Sequence, residues 1–446
     1  MHDIEFHVII DGAYPRVPYA GNRKSNYVDL PNTLYDRAHG QRVLEDQLET
    51  IVALEGLGYD GAVFSEQHNG PIGLHGNSLV AASWAAARTT RLRIGAWGPI
   101  LNSYTTPVKM AEEIAVVDTL SRGRLSIALP MGHGMQHHSL GYMNPATVRR
   151  RFREGHDLLI KAMTEPGPFE WNGEFFQIPY VNVWPQPLQE PHPPIILPGG
   201  GSQETLELAA RNRYTYLPVL NPRQGFLRNV QRFRDLCENE GYELQPSQVA
   251  ASIYVHVAET DRQARLEAEA HDLWAFQNFY LSAEHDNFPP GYVSPQSLRG
   301  ILSGGYRSTP MNELGWDELA AEHWAVAGSP ETVASFLRES LEEAGAGKLL
   351  VFANSGVKPR WLAMKSLTLF AEEVIPRLRQ GGTPRWKTEP HRGYDTLAEF
   401  GARRPDDVPR AAVRLDGEHL VDAQTAHIEE LRRPLSDHPS STGVHA

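Results

Sequence analysis

The sequence predicts an α/β chain folded as a single (β/α)8 TIM barrel with insertions and a C-terminal extension, and three observations predict it. Eight short apolar runs alternate with helix-period segments and the chain makes no early return, which favours a closed parallel barrel over an open doubly wound sheet. The stretch Pro107 to Gly134 shows the unit in one pass, as amphipathic helix, stop at Gly123, strand and loop. The 446 residues also suffice, because such a barrel takes about 250 residues or more as one unit.

Taken in order, Glu5 to Ile10 is the first strand, followed by an irregular insertion over residues 11–40 rich in Tyr, Pro, Asn and Gly. Gln41 to Leu57 has helical period and Gly58 closes it; Gly61 to Ser65 is the second strand, ending in Glu66-Gln67-His68. An Ala-rich helix, Ser78 to Arg88, precedes a third strand from Arg91 towards Trp97. In the fourth strand, Leu125, Ile127 and Leu129 alternate with Ser126 and Ala128, which predicts an outer face against helices and an inner face that leaves room. Pro130 stops the ladder, and Met131-Gly132-His133-Gly134 opens a loop at the strand's C-terminal end, where parallel α/β folds hold ligands.

Val148 to Met163 is helical, and Phe169 to Pro179 reads as a hairpin turned at Asn172-Gly173. The fifth, sixth and seventh strands fall at 194–198, 214–219 and 251–257, with helices at 202–211, 226–240 and from Asp261. Residues 284–316 form a second insertion, Lys348 to Phe352 the eighth strand and Trp361 to Leu378 the last helix. We place the barrel at residues 1–380. Residues 381–446, rich in Arg, Asp, Pro and His, are the extension, either disordered or an oligomer arm, with a helix at 422–433.

A net charge of −12 argues against a nucleic-acid or anionic-membrane partner, since either would require a basic face. Cys237 is the only cysteine, which excludes an intramolecular disulfide and fits a reducing, cytoplasmic compartment. The N-terminus reads as a strand instead of a signal peptide, and no apolar run approaches the roughly 18 residues of a membrane span.

The most informative motif is Pro198-Gly199-Gly200-Gly201-Ser202-Gln203-Glu204-Thr205. Glycines allow close backbone approach, the following helix offers N–H groups with partial positive charge, and Ser202 and Thr205 can donate to phosphate. We favour this over the alternative that Ser202 merely caps the helix. The G-x-G-x-x-G spacing is absent, so a single phosphate, as in FMN, is the natural guest. His68 is equally a general acid–base candidate and a structural hydrogen-bonding residue. His133, His137 and His138 lack a metal-ligand motif, and no metal is expected. Around Trp97, Gly98, Pro99 and Asn102, a small residue between bulky ones could admit a flat ring, although barrel packing alone explains it.

Taken together, these residues resemble the bacterial luciferase-like flavin monooxygenases over most of residues 5–380. The resemblance lies in SEQHNGPIGLHGNSLVAASWAAARTTRLRIG, TPVKMAEEIAVVDTLSRGRLSIALPMGHG, WPQPLQEPHPPIILPGGGSQET and AGSPETVASFL. It implies a (β/α)8 barrel that receives FMNH2 from a separate flavin reductase, and a homodimer. Oxygen from O2 would pass through a flavin peroxide into a small organic substrate. By position it implies that Gly201, Ser202 and Thr205, with Gly200 in the same loop, hold the flavin phosphate. Gly98 then supports the isoalloxazine ring, and Met131 and His133 meet the cofactor. Gln67 and His68 are the catalytic positions. Luciferase has Glu-His-His at the second strand end, its first histidine tied to catalysis, and an arginine towards the phosphate where this chain has Met131. Light emission from an aldehyde is therefore not expected. Two alternatives stand beside this reading: a deazaflavin-dependent oxidoreductase transferring hydride, and a flavin-binding subunit without turnover. The insertions at 11–40 and 284–316 are the candidate lid and substrate walls.

Overall fold

The computed structural model describes residues 4–10, 13–14, 16–17, 30–132, 136, 144–219, 221–279, 291–292, 299, 311–354, 356–379, 414–415 and 418–419. The chain divides into two compact units, residues 1–395 and 396–446. In the second, Arg414–Leu415 pairs antiparallel with Glu418–His419. The helix expected at 422–433 lies outside the described residues.

The first unit begins with β1 (Glu5–Ile10), α1 (Arg37–Leu57), β2 (Gly61–Ser65), α2 (Ser78–Arg88), β3 (Arg93–Trp97), α3 (Pro107–Leu120), β4 (Leu125–Ala128) and α4 (Val148–Thr164). A hairpin of β5 (Phe169–Asn172) and β6 (Gln177–Val181) precedes β7 (Ile195–Gly199), α5 (Gln203–Asn212), β8 (Thr215–Pro218) and α6 (Arg223–Asn239). The rest runs through β9 (Ala250–Val257), α7 (Asp261–Ala268), α8 (Trp274–Phe279), α9 (Trp316–Ala321), β10 (Ala325–Gly328), α10 (Pro330–Ala344), β11 (Lys348–Asn354) and α11 (Arg360–Leu369).

Nine strands form one curled parallel sheet in the order β10-β9-β11-β1-β2-β3-β4-β7-β8. Side-chain alternation explains the curl. One inner layer takes Ile9 from β1, Val63 from β2, Trp97 from β3, Ala128 from β4, Ile196 from β7, Leu217 from β8, Ala250 from β9 and Leu350 from β11. A parallel bridge between Tyr216 and Val249 brings β8 beside the start of β9. Leu125, Ile127 and Leu129 join the outer core with the helices, while Ser126 accepts the Trp97 indole N–H at 3.2 Å on the inner face, as the alternation predicts. Gly95 gives that indole room, since a Cβ there would sit 2.7 Å from Trp97 Nε1. At the N-terminal end, Glu5 meets Lys348 (2.7 Å), Arg93 (3.0 Å) and His7 (3.2 Å). Burial would raise the Glu5 pKa, but the His7 hydrogen bond and the two cations hold it well below the usual carboxylate range.

The helices start where side chains can cap them. Asp36, Asn77, Thr106 and Ser329 accept first-turn N–H groups, and Pro107 and Pro330 occupy first helical positions. Gly58 closes α1 at φ 90°. Among the described residues no helix is long and apolar enough to cross a membrane.

Three details differ from expectation. β10 is a ninth strand: Ala325–Gly328 is too short and small-sided to signal itself, and it pairs with Tyr254–Val257 of β9 while Ala250–Tyr254 pairs with β11. The hairpin does not turn tightly at Asn172-Gly173 but through residues 173–176, because Glu154 of α4 accepts the N–H groups of Phe175 and Phe176, both at 2.9 Å. The helix from Asp261 and the last helix, expected unbroken to Leu378, are each interrupted by a π-turn, Glu269–Leu273 and Phe370–Val374.

His75, in the loop after β2, packs edge-on against Phe64 and is 5% exposed, with neither ring nitrogen bonded among the described residues. Burial pushes its pKa down to about 4. A folded pKa below the unfolded one makes its contribution full above about 6.5 and lost as pH falls towards 4. His75→Phe should shrink the stability difference between pH 8 and pH 5 by about 2 kcal/mol. Urea midpoints at the two pH values check it, and an unchanged difference would refute it.

Candidate functional site

The C-terminal ends of β2, β3, β4 and β7 are successive neighbours in the sheet. They form an arc of three inter-strand spacings, about 14 Å. Glu66, just past β2, is buried and accepts from Ser78 N (3.0 Å), Ser78 Oγ (3.1 Å) and Ile100 N (3.5 Å). His68 Nε2 lies 3.2 Å from Glu66 Oε1, so the carboxylate orients the imidazole. Gln67 donates its N–H to His75 O at 3.1 Å, and Gly73 leaves space for its side chain. Gly98 presses on the same place from β3, where a Cβ would stand 2.6 Å from Glu66 N. Its lack of a side chain therefore serves the contact between two strand ends.

Past β4, Met131 packs with Ile100, Val148 and Tyr292. Asn102, 1% exposed, donates Nδ2 to Met131 O (3.4 Å) and Val148 O (3.3 Å), and its Oδ1 has no partner among the described residues. The Tyr292 hydroxyl donates to Gly132 O at 2.6 Å, and burial raises its pKa to about 12, which keeps it protonated. His133, His137 and His138 lie outside the described residues. Among those described, no group of three or more His, Cys, Asp or Glu could hold a metal.

The glycine run joins β7 to α5. Ser202 does cap that helix, with Oγ 3.4 Å from Thr205 N, and the two hydroxyl oxygens lie 2.8 Å apart beside the first turn. Capping and anion binding are compatible here, because the first-turn N–H groups lack intrahelical partners. All three glycine carbonyls are bonded: Gly199 O by Tyr216 O–H (3.1 Å), Gly200 O by Asn229 Nδ2 (3.1 Å), Gly201 O by an Arg232 Nη (2.9 Å). Gly201 has φ +89°, and any Cβ there would overlap the Asn229 amide. Nearby, Arg149 pairs with Glu204 at 2.9 Å and donates Nε to Tyr292 O at 2.9 Å, with Arg153 3.7 Å from Glu204.

The donor chemistry of this loop, a helix start with a hydroxyl pair beside it, fits a phosphate, while the space beside Gly98 and Gly201 is taken by Glu66 and Asn229. Cations approach this region from α4, where Arg149 and Arg153 pair with Glu204, and from α6, where Arg232 bonds Gly201 O, and not from the position of Met131. Sequence reasoning missed Arg149, Arg153, Asn229, Arg232 and Tyr292. The i,i+4 spacing of Arg149 and Arg153 on one helix face was the available signal. Asn229 and Arg232 carry none, because their role depends on α6 packing beside α5.

Residues 28–348 match the model of the luciferase-like monooxygenase family. The chain is 26% identical to limonene 1,2-monooxygenase of Rhodococcus erythropolis, covering 83% of this chain and 89% of that one. Among solved structures it is similar to the oxygenating constituent of 3,6-diketocamphane monooxygenase from Pseudomonas putida, a type II Baeyer-Villiger monooxygenase in complex with FMN. That match has TM-score 0.64 at 18% identity, over 85% and 99% of the two chains. It is also similar to the coenzyme F420 dependent tetrahydromethanopterin reductase of Methanopyrus kandleri, with TM-score 0.56 at 19% identity, over 84% and 100%. With a family match across most of its length, the chain belongs to the luciferase-like monooxygenases.

Proposed function

We propose that this protein is a reduced-FMN-dependent monooxygenase that inserts one oxygen atom from O2 into a small apolar organic substrate, with FMNH2 delivered by a partner reductase. The observation that carries it is the glycine loop: a helix start bearing the Ser202–Thr205 hydroxyl pair, of the kind that suits an anion, on the same rim as Gly98, Met131 and His68. We read eight of the nine strands as a closed (β/α)8 barrel over residues 1–380, with β10 as an addition and residues 381–446 as a separate extension.

Bound flavin would supply the electrons that activate O2. The protein holds and positions. Gly200, Gly201, Ser202 and Thr205 would bind phosphate, Gly98 and Met131 would flank the ring, and His133 would complete the wall after β4. Glu66 orients His68 for proton transfer, and Gln67 stands beside it. The stacked Tyr254 and Phe352, with ring centroids 4.6 Å apart, and Phe276 at 4.5 Å from Tyr254, form a buried aromatic cluster that we read as backing the apolar side of the substrate site. Likeness to a limonene monooxygenase supports a terpene-sized substrate. Val80 on α2 with Val116 and Leu120 on the adjoining α3 are exposed, which supports a homodimer through that face. We also propose a cytoplasmic location.

Likeness to the F420-dependent reductase supports a second reading, hydride transfer with a deazaflavin. Anaerobic titration with FMNH2 and reduced deazaflavin separates the two, and tighter deazaflavin binding would overturn our choice. Incubated with limonene, NADH, a flavin reductase and FMN under 18O2, the protein should yield product carrying one labelled oxygen; unlabelled product would sink the monooxygenase assignment. His68→Gln should lower kcat by about 10²–10⁴-fold with FMN affinity unchanged. Steady-state turnover beside flavin titration measures this, and full activity would return His68 to a structural role.

A further inference from the structure

The glycine run between β7 and α5 has every carbonyl occupied from behind. Gly199 O is bonded by the Tyr216 hydroxyl and by Val219 N at 3.3 Å, Gly200 O by Asn229, and Gly201 O by Arg232. The C=O of one residue and the N–H of the next point opposite ways across a planar trans peptide. Holding the carbonyls of residues 200 and 201 towards α6 therefore turns the N–H groups of 201 and 202 to the other side.

The donors are themselves held. Asn229, 8% exposed, receives an Arg232 Nη on its Oδ1 at 3.3 Å, and its Nδ2 lies 3.4 Å from Asn221 Oδ1, which settles the orientation of the amide. Arg232 is anchored further by Gln203 Oε1 at 2.8 Å. The space a Cβ of Gly201 would need is filled by the Asn229 amide, so glycine and clamp require each other.

We propose that Asn229 and Arg232 are positioning residues for the flavin phosphate. They turn the loop's N–H groups towards the anion without touching it themselves. This rests on the reading of the loop as the phosphate site. Their contacts are with the glycine loop and the start of α5, so their removal is expected to act on the phosphorylated cofactor alone.

The test compares FMN with riboflavin, which lacks only the phosphate, by flavin fluorescence quenching on wild type, Asn229→Ala, Arg232→Ala and Arg232→Lys. Each alanine variant should weaken FMN about five- to tenfold and leave riboflavin unchanged. Arg232→Lys should recover part of the loss, because an ammonium can still donate to Gly201 O. Arg232 is exposed, so its variants keep the fold even where Asn229→Ala does not. Equal weakening of FMN and riboflavin, or undiminished FMN binding, would overturn the positioning role. A wild type that does not distinguish the two flavins would instead remove the phosphate site, and the clamp's role with it.

Discussion

The arrangement of the rim depends on the close approach of β2 and β3 at their C-terminal ends. Gly98 lies against the Glu66 backbone at a distance that tolerates no side chain. Because the strands close there, Ile100 N reaches the Glu66 carboxylate, and Ser78 at the start of α2 supplies two further donors. The carboxylate is thereby fixed before it meets His68. A glycine that looks like a place for a ligand is thus also the condition for a well-oriented Glu66–His68 contact.

Buried charge shows the same economy away from the rim. Arg124 is 4% exposed and donates only to hydroxyl and carbonyl oxygens, those of Ser121, Leu92, Ala86 and both oxygens of Thr89. It gathers the loose C-terminal carbonyls of α2 onto the start of β4. Lys358 is held by Asp272 at 3.0 Å, by Ala353 O at 3.0 Å and by His256 Nδ1 at 3.1 Å, while His256 Nε2 meets Glu267 at 2.7 Å. With Lys358 donating to one nitrogen, the imidazole is the Nε2–H tautomer; burial first, and the ammonium second, push its pKa down to about 4. These ties join β9, β11 and the π-turn after α7 at the upper end of the sheet.

Much of the fold was legible because strand alternation and helix stops are local signals. Leu125, Ile127 and Leu129 announced the outer face, and Gly58 the end of α1. What stayed hidden depends on tertiary partners. β10 exists because β9 offers it an edge, the 173–176 loop opens because Glu154 reaches it from α4, and Asn229 acts on glycines far away in sequence. At the candidate site, strand-end residues were legible by position and motif. The supports brought by α4, α6 and Tyr292 were not, since polar residues on amphipathic helices look alike until packing selects them.

β9 carries β11 along the first half of one edge and β10 along the second half of the other, with β8 bridged beside its start. Beside β10 the rings of Tyr254, Phe276, Trp316 and Trp324 pack into one buried cluster. The rim is thereby lopsided: a polar crescent of hydroxyls, amides and cations on one flank faces an oily aromatic flank on the other. A guest with one charged end and one greasy end would meet a vessel already sorted to receive it in a single orientation.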